Sequence, residues 1–107
     1  MLLQQAYDVF IADRNINGCK PKTLAFYHDS AGAFLRFVAN TDTEASVTSV
    51  LAYITPFFLA LQELNLSDTT LRTYWRGVRT FMRFLYSEDY VADEVRLPKI
   101  KYPATTS

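Results

Sequence analysis

The chain has 107 residues, half of them apolar and 15% aromatic, with eleven basic groups balanced by eleven acidic ones. This is the size of one domain, and sixteen aromatic side chains exclude a disordered chain, while three Gly and four Pro exclude a collagen-like one. A lone Cys19 leaves no disulfide framework and no Cys-based zinc cluster; no apolar run reaches the roughly 18 residues of a membrane span, and Met1 leads into Gln4, Gln5 and Asp8 rather than a basic, cleavable leader.

These features point to a cytoplasmic protein without a membrane partner. The neutral sum hides an uneven distribution. Residues 1–66 carry four basic and six acidic groups, residues 67–107 carry seven and five, and Thr69 to Leu85 holds four Arg and no acid.

Almost every segment repeats at helical spacing and none alternates with period two, so the expected class is all-α, a compact bundle of four main helices. The first helix is predicted from Leu3 to Asn17, with Leu3, Ala6, Tyr7, Phe10 and Ile11 on one stripe and Gly18 as a left-handed stop. Pro21 suits the first position of the second helix, where Leu24, Tyr27, Ala31, Phe34, Leu35 and Val38 mark an inner face as far as Asn40. Asn40 to Ser46 reads as a loop. Thr48 is the expected cap of a third helix that ends near Asn65. Pro56 either kinks that helix or starts a new one after Thr55; a kink is the favoured alternative. Ser67 caps a fourth helix running to about Tyr86, with Asp68 at its positive end. Glu88, Asp89, Asp93 and Glu94 form an acidic turn, and residues 96–107, with Pro98 and Pro103, read as a linker following a domain of residues 1–95.

Sliding the chain against itself by 47 residues aligns Thr23, Leu24, Tyr27, Phe34, Arg36 and Phe37 with Thr70, Leu71, Tyr74, Phe81, Arg83 and Phe84, six identities in sixteen positions. The same offset pairs Gly18 with Asn65, both tolerant of the left-handed conformation. Two helical hairpins packed into one four-helix core are implied.

In the fourth helix Arg72, Arg76, Arg79 and Arg83 cover only about 60° of arc at 100° per residue, and the apolar set that includes Leu71, Trp75 and Phe81 is centred about 125° away. Like charges at this spacing repel, and no acid four residues on relieves them. Arg forks suit phosphate oxygens and guanine edges, Thr69, Thr73 and Thr80 can add neutral donors, and Lys20, Lys22 and Thr23 at the start of the second helix supply a matching surface. Arg96, Lys99 and Lys101 extend the charge into the tail.

No catalytic constellation is expected. His28, Asp29 and Ser30 are consecutive helical residues pointing about 100° apart, so they form no nucleophile–base–orienter chain. Asp29-Ser30 also matches the attachment pair of acyl carriers but falls inside a helix. The single His and Cys have no partners at metal-ligand spacing, no Gly-rich phosphate loop occurs, and no cofactor is implied.

Lys20-Pro-Lys-Thr-Leu24-x-x-Tyr27 with Phe34-Leu-Arg-Phe37, then Leu66-Ser-Asp-Thr-Thr70-Leu71-x-x-Tyr74 with Val78-Arg-Thr-Phe81-Met-Arg-Phe84-Leu85, resembles the N-terminal core-binding, SAM-like domain of tyrosine recombinases, the phage integrase and Xer-type enzymes. The resemblance covers about Leu3 to Pro103. It implies half of a C-shaped clamp on duplex DNA, used in DNA integration and recombination, with the second and fourth helices near the major groove. Lys20, Lys22, Thr23 and His28 would then face DNA from one helix, and Ser67, Thr69, Arg72, Thr73, Arg76 and Arg79 from the other. Arg83, at the far end of the stripe, would touch DNA or pair with Glu88 or a backbone carbonyl, and Lys99 would join from the tail. The resemblance places the catalytic residues in a separate C-terminal domain of the same parent chain, which is absent here, so this part would not be an enzyme; further partners would be other recombinase protomers. Ala92-Asp93 stands where the family often has an Asn-Pro turn, Pro56 is unusual in the third helix, and Leu97-Pro98-Lys99 fits the family's exit toward the catalytic domain. The alternative is a helical protein-interaction module with a solvated Arg face, presenting Phe26, Phe57 or Tyr86 to a partner helix.

Overall fold

A computed structural model describes residues 1–91 and places them in an all-α fold: α1 (Leu3–Ile16), α2 (Pro21–Thr41), a 3-10 turn (Val47–Ser49), α3 (Val50–Glu63) and α4 (Asp68–Ser87). The expected turn at Ala92-Asp93 and the 96–107 linker, with Arg96, Lys99 and Lys101, lie outside the described residues.

Local signals account for most boundaries. Gly18 ends α1 at φ +82° and Asn65 follows α3 at φ 54°, the left-handed stops that a residue without Cβ, or a short amide, adopts at least cost. Pro21 fills the first position of α2, and Ser67 caps α4 by accepting from the Thr70 N–H at 3.2 Å. Pro56 lies inside one continuous α3, so the helix is not split.

The entry to α3 differs from expectation. Thr48 does not cap it: Ser46 caps a 3-10 turn, its Oγ accepting from the Thr48 N–H at 3.3 Å, and α3 follows at Val50 after Ser49, whose side chain makes no cap bond. The cause is long-range. Leu2 and Ser46 form an antiparallel bridge, with Leu3 N–H donating to the Ala45 carbonyl and Val47 N–H to the Met1 carbonyl, so the start of the chain holds Ser46 extended and fixes where the turn can begin.

The helix starts at 3 and 21 recur at 50 and 68, the same 47-residue offset read in the sequence. Core contacts obey it too. Phe10 of α1 packs its ring on Tyr27 (5.2 Å between centroids), Phe81 (5.3 Å) and Phe84 (5.3 Å). Phe57 of α3, 47 residues on, packs on Tyr74 (6.1 Å), Phe34 (5.4 Å) and Phe37 (5.4 Å), the offset partners of those three rings. Each central Phe therefore touches a Tyr of its own unit and two Phe of the other, and both are buried. This edge-to-face and tilted packing exploits the ring quadrupoles beyond simple area burial.

The most extensive helix contact is α2 with α4. At the crossing, Ser30 is 1% exposed, its Oγ donates to the Phe26 carbonyl at 2.6 Å, and it lies directly against Gly77. A Cβ at Gly77 would overlap Ser30 Oγ and Cβ and meet the Ala31 nitrogen at 3.2 Å. Ser30 and Gly77 are themselves 47 residues apart. Two positions related by the repeat offset therefore meet at the crossing, and there both must be small. The burial of Ser30 also closes it to the acyl-carrier role.

Trp75 is half-buried, not a core residue, with its ring 5.5 Å from Phe58. Phe57 is 3% exposed, so it offers no surface to a partner helix; Phe26 and Tyr86 are half-buried. The burial of Phe57 corrects the expected surface and follows from α3, which carries no charged residue before Glu63 and so gives no polar face from which to infer its orientation.

Gly77→Ala, which in an open helix would gain up to about 1 kcal/mol, is expected here to lose about 2 kcal/mol through overpacking. Adding Ser30→Gly should recover more than half of that loss. Urea unfolding of the two variants checks both expectations; a Gly77→Ala chain as stable as the parent would refute the crossing.

Candidate functional site

The four Arg of α4 are all exposed. Arg76, Arg79 and Arg83 form no ion pair with any acid among the described residues, and Arg83 bonds neither to Glu88 nor to a backbone carbonyl. On α1, by contrast, Arg14 pairs with Asp13 at 2.7 Å. Three like charges thus stand unrelieved on one helix face.

At the start of α2, Lys20 occupies the cap position with no side-chain cap bond and no acid follows in the first turn. Lys20 and Lys22 are exposed cations at the positive end of a helix dipole, an arrangement that costs up to about 1 kcal/mol per charge. By contrast α4 opens with Ser67 and Asp68, which complement its dipole.

Because α2 and α4 cross at Ser30 and Gly77, the start of α2 comes alongside the middle of α4. Lys22, Thr23, Phe26 and Tyr27 from α2 and Arg76 and Thr80 from α4 line one cleft of about 350 Å³. The Arg76 guanidinium carbon lies 5.6 Å from the centre of the Phe26 ring, a cation–π stack. Arg79 lies about 60° further from α2 than Arg76 on the helical wheel, with Arg72 and Arg83 between them.

Several expected roles take a different form. The Thr73 hydroxyl donates to the Thr69 carbonyl at 3.0 Å and the Thr80 hydroxyl to the Arg76 carbonyl at 2.9 Å, so these protons are already engaged and the oxygens can only accept. Ser67 Oγ is occupied by the Thr70 N–H and the Thr70 hydroxyl. Thr69 is exposed one turn before Thr73.

His28 sits about 170° round α2 from the centre of the Lys22, Thr23 and Phe26 group at 100° per residue, turned toward α1. There its Nδ1 lies 3.1 Å from the Tyr7 hydroxyl. Burial holds the Tyr7 phenol above its ordinary pKa, against the lowering effect of Arg36. His28 and Ser30 thus point to different neighbours, α1 and α4.

What sequence reasoning missed is the Phe26–Arg76 stack. Phe26 falls outside the α2 apolar stripe, and that displacement toward Lys22 was the available signal.

No group of His, Cys, Asp and Glu able to hold a metal ion occurs among the described residues, and no helix among them is long and apolar enough to cross a membrane. Compared with family models, with curated proteins and with solved structures, the chain has no match.

Tyr7→Phe and His28→Ala are each expected to cost about 1 kcal/mol, the usual worth of one hydrogen bond. The double variant should lose clearly less than the sum, since either change removes the same contact. A urea double-mutant cycle measures this, and strict additivity would show that the two side chains do not interact.

Proposed function

We propose that this chain is the core-binding domain of a tyrosine recombinase, with residues 1–95 forming a SAM-like pair of helical hairpins that clamps one side of duplex DNA. Residues 96–107 then lead to a catalytic domain of the same parent chain, which carries the chemistry, and other recombinase protomers share the DNA. On this reading the fragment itself is not an enzyme and works in the cytoplasm.

The observation that carries the reading is the convergence of Lys22, from the dipole-opposed start of α2, and Arg76, from the α4 stripe, on one cleft. The asymmetry of the repeat adds support. Positions 47 residues before Arg72, Arg76, Arg79 and Arg83 are Ala25, Asp29, Gly32 and Arg36, so the equivalent helix of the first unit is built with only one of the four cations. Phosphate contacts supply most of the affinity of such a surface, with base readout added.

The alternative of a protein-interaction module loses Phe57 to the core, keeps Phe26 and Tyr86 only half-buried, and draws its remaining support from exposed apolar residues such as Ile16, Leu59 and Leu64.

Fluorescence anisotropy of a short labelled duplex, titrated with the 107-residue chain across salt, tests the function. Log affinity should fall linearly with log salt by about 0.9 per phosphate contact, from micromolar or weaker binding at low salt. Arg79→Ala and Lys22→Ala should each lower that slope by about one contact with unchanged circular dichroism. Salt-independent binding, or no effect of either substitution, would remove the DNA reading.

A further inference from the structure

We propose that Arg76, held against the Phe26 ring, is the side chain of this surface that reads a base, and that the base is guanine. The inference rests on the duplex-DNA reading above and assigns one residue within it a task different from that of its neighbours.

Arg76 differs from Arg79 and Arg83 in being oriented before any ligand arrives. Its guanidinium lies over the Phe26 ring at 5.6 Å, whereas neither Arg79 nor Arg83 lies over a ring among the described residues. Contact with the ring restricts where the guanidinium can sit before a ligand arrives, so less rotamer freedom is lost when its fork meets a partner. An Arg that only neutralises phosphate gains little from such restriction, because a phosphate presents acceptors in many directions. An Arg that reads a base edge needs its fork in the base plane, and a long side chain otherwise surrenders rotamer freedom to reach it. In the major groove guanine alone offers two acceptors, O6 and N7, spaced for that fork; adenine and cytosine each interpose an amino donor, and thymine pairs O4 with a methyl group.

Neither member of the pair is demanded by the fold. The positions related to Arg76 and Phe26 by the 47-residue offset are Asp29 and Thr73, so the equivalent place in the other unit has no cation and no ring. Phe26 is also not a core residue: it is half-buried, its ring 5.4 Å from Tyr27 and open on the side where Arg76 lies. Nor does an acid compete for the fork, since Arg76 has no ion pair among the described residues. Phe26 acts as a positioning residue, and Arg76 makes the contact.

The test is selection of bound duplexes from a randomised pool by the 107-residue chain at low salt, followed by affinities of the enriched sequence and its single-base variants. The parent chain should prefer guanine at one position by about tenfold or more, the discrimination a bidentate contact supplies. Arg76→Lys, which keeps the charge but not the fork, should bring that preference below about threefold while retaining most of the affinity for random DNA. Phe26→Leu should do the same and Phe26→Tyr should keep the preference, a pattern that a merely structural role for the ring would not produce. Arg79→Ala should weaken all sequences alike. If Phe26→Leu fails a circular-dichroism check of folding, the comparison of Arg76→Lys with the parent decides alone. A guanine preference that survives Arg76→Lys, or duplex binding with no guanine preferred anywhere, overturns the inference and leaves the DNA reading standing; absence of any duplex binding removes both.

Discussion

The contact between Ser30 and Gly77 is the constraint from which the rest of the structure follows. Two helices can approach this closely only if neither presents a side chain larger than a hydroxymethyl at the crossing, and here one presents none. Ser30 satisfies its own hydroxyl within α2, by donating to the Phe26 carbonyl, so a polar group that is 1% exposed carries no unmet hydrogen bond. The crossing sets how far the rings of α2 and α4 reach. Phe34 arrives at Phe57 and Phe81 at Phe10, each across the boundary between units. It also brings Lys22 and Phe26 to the same cleft as Arg76. One small-residue contact therefore positions both the core and the candidate surface.

Much of the fold was legible because its punctuation is local. Gly18, Pro21, Asn65 and Ser67 act through their own backbone preferences, and each stands where the structure needs it. What was not legible depends on partners distant in sequence. The Ser46 cap exists because the chain start pairs with it. Phe10 and Phe57 are the one identity that α1 and α3 share at the repeat offset, which is too little signal to single them out before their contacts are known. The burial of Phe57 was hidden by an α3 that is apolar nearly all round. The side to which His28 turns was hidden for a simpler reason: periodicity gives the angle between side chains on one helix, but not which neighbouring helix lies at which angle.

The candidate surface follows a different logic from the core. The core repeats; the charge does not. Of the four Arg on α4 only Arg83 has a basic counterpart, Arg36, at the offset position. A chain under selection only for folding has no reason to gather four Arg on one face and two Lys at the positive end of a helix dipole, since both arrangements oppose stability by a few tenths of a kcal/mol or more. The placement of these groups around a cleft with one stacked guanidinium is the arrangement expected of a surface shaped by a polyanion.

The central claim is that the α2 start and the α4 stripe form one surface for duplex DNA, and amide-shift NMR titration of the chain with a short random duplex, at low and then high salt, tests it most directly. The account predicts shifts clustered at residues 20–26 and 69–80 that vanish as salt rises, with the Tyr7 and His28 side of α2 unmoved. Shifts absent altogether, scattered, or centred on Leu59 and Leu64 would contradict it and would make the Arg stripe a solvated face.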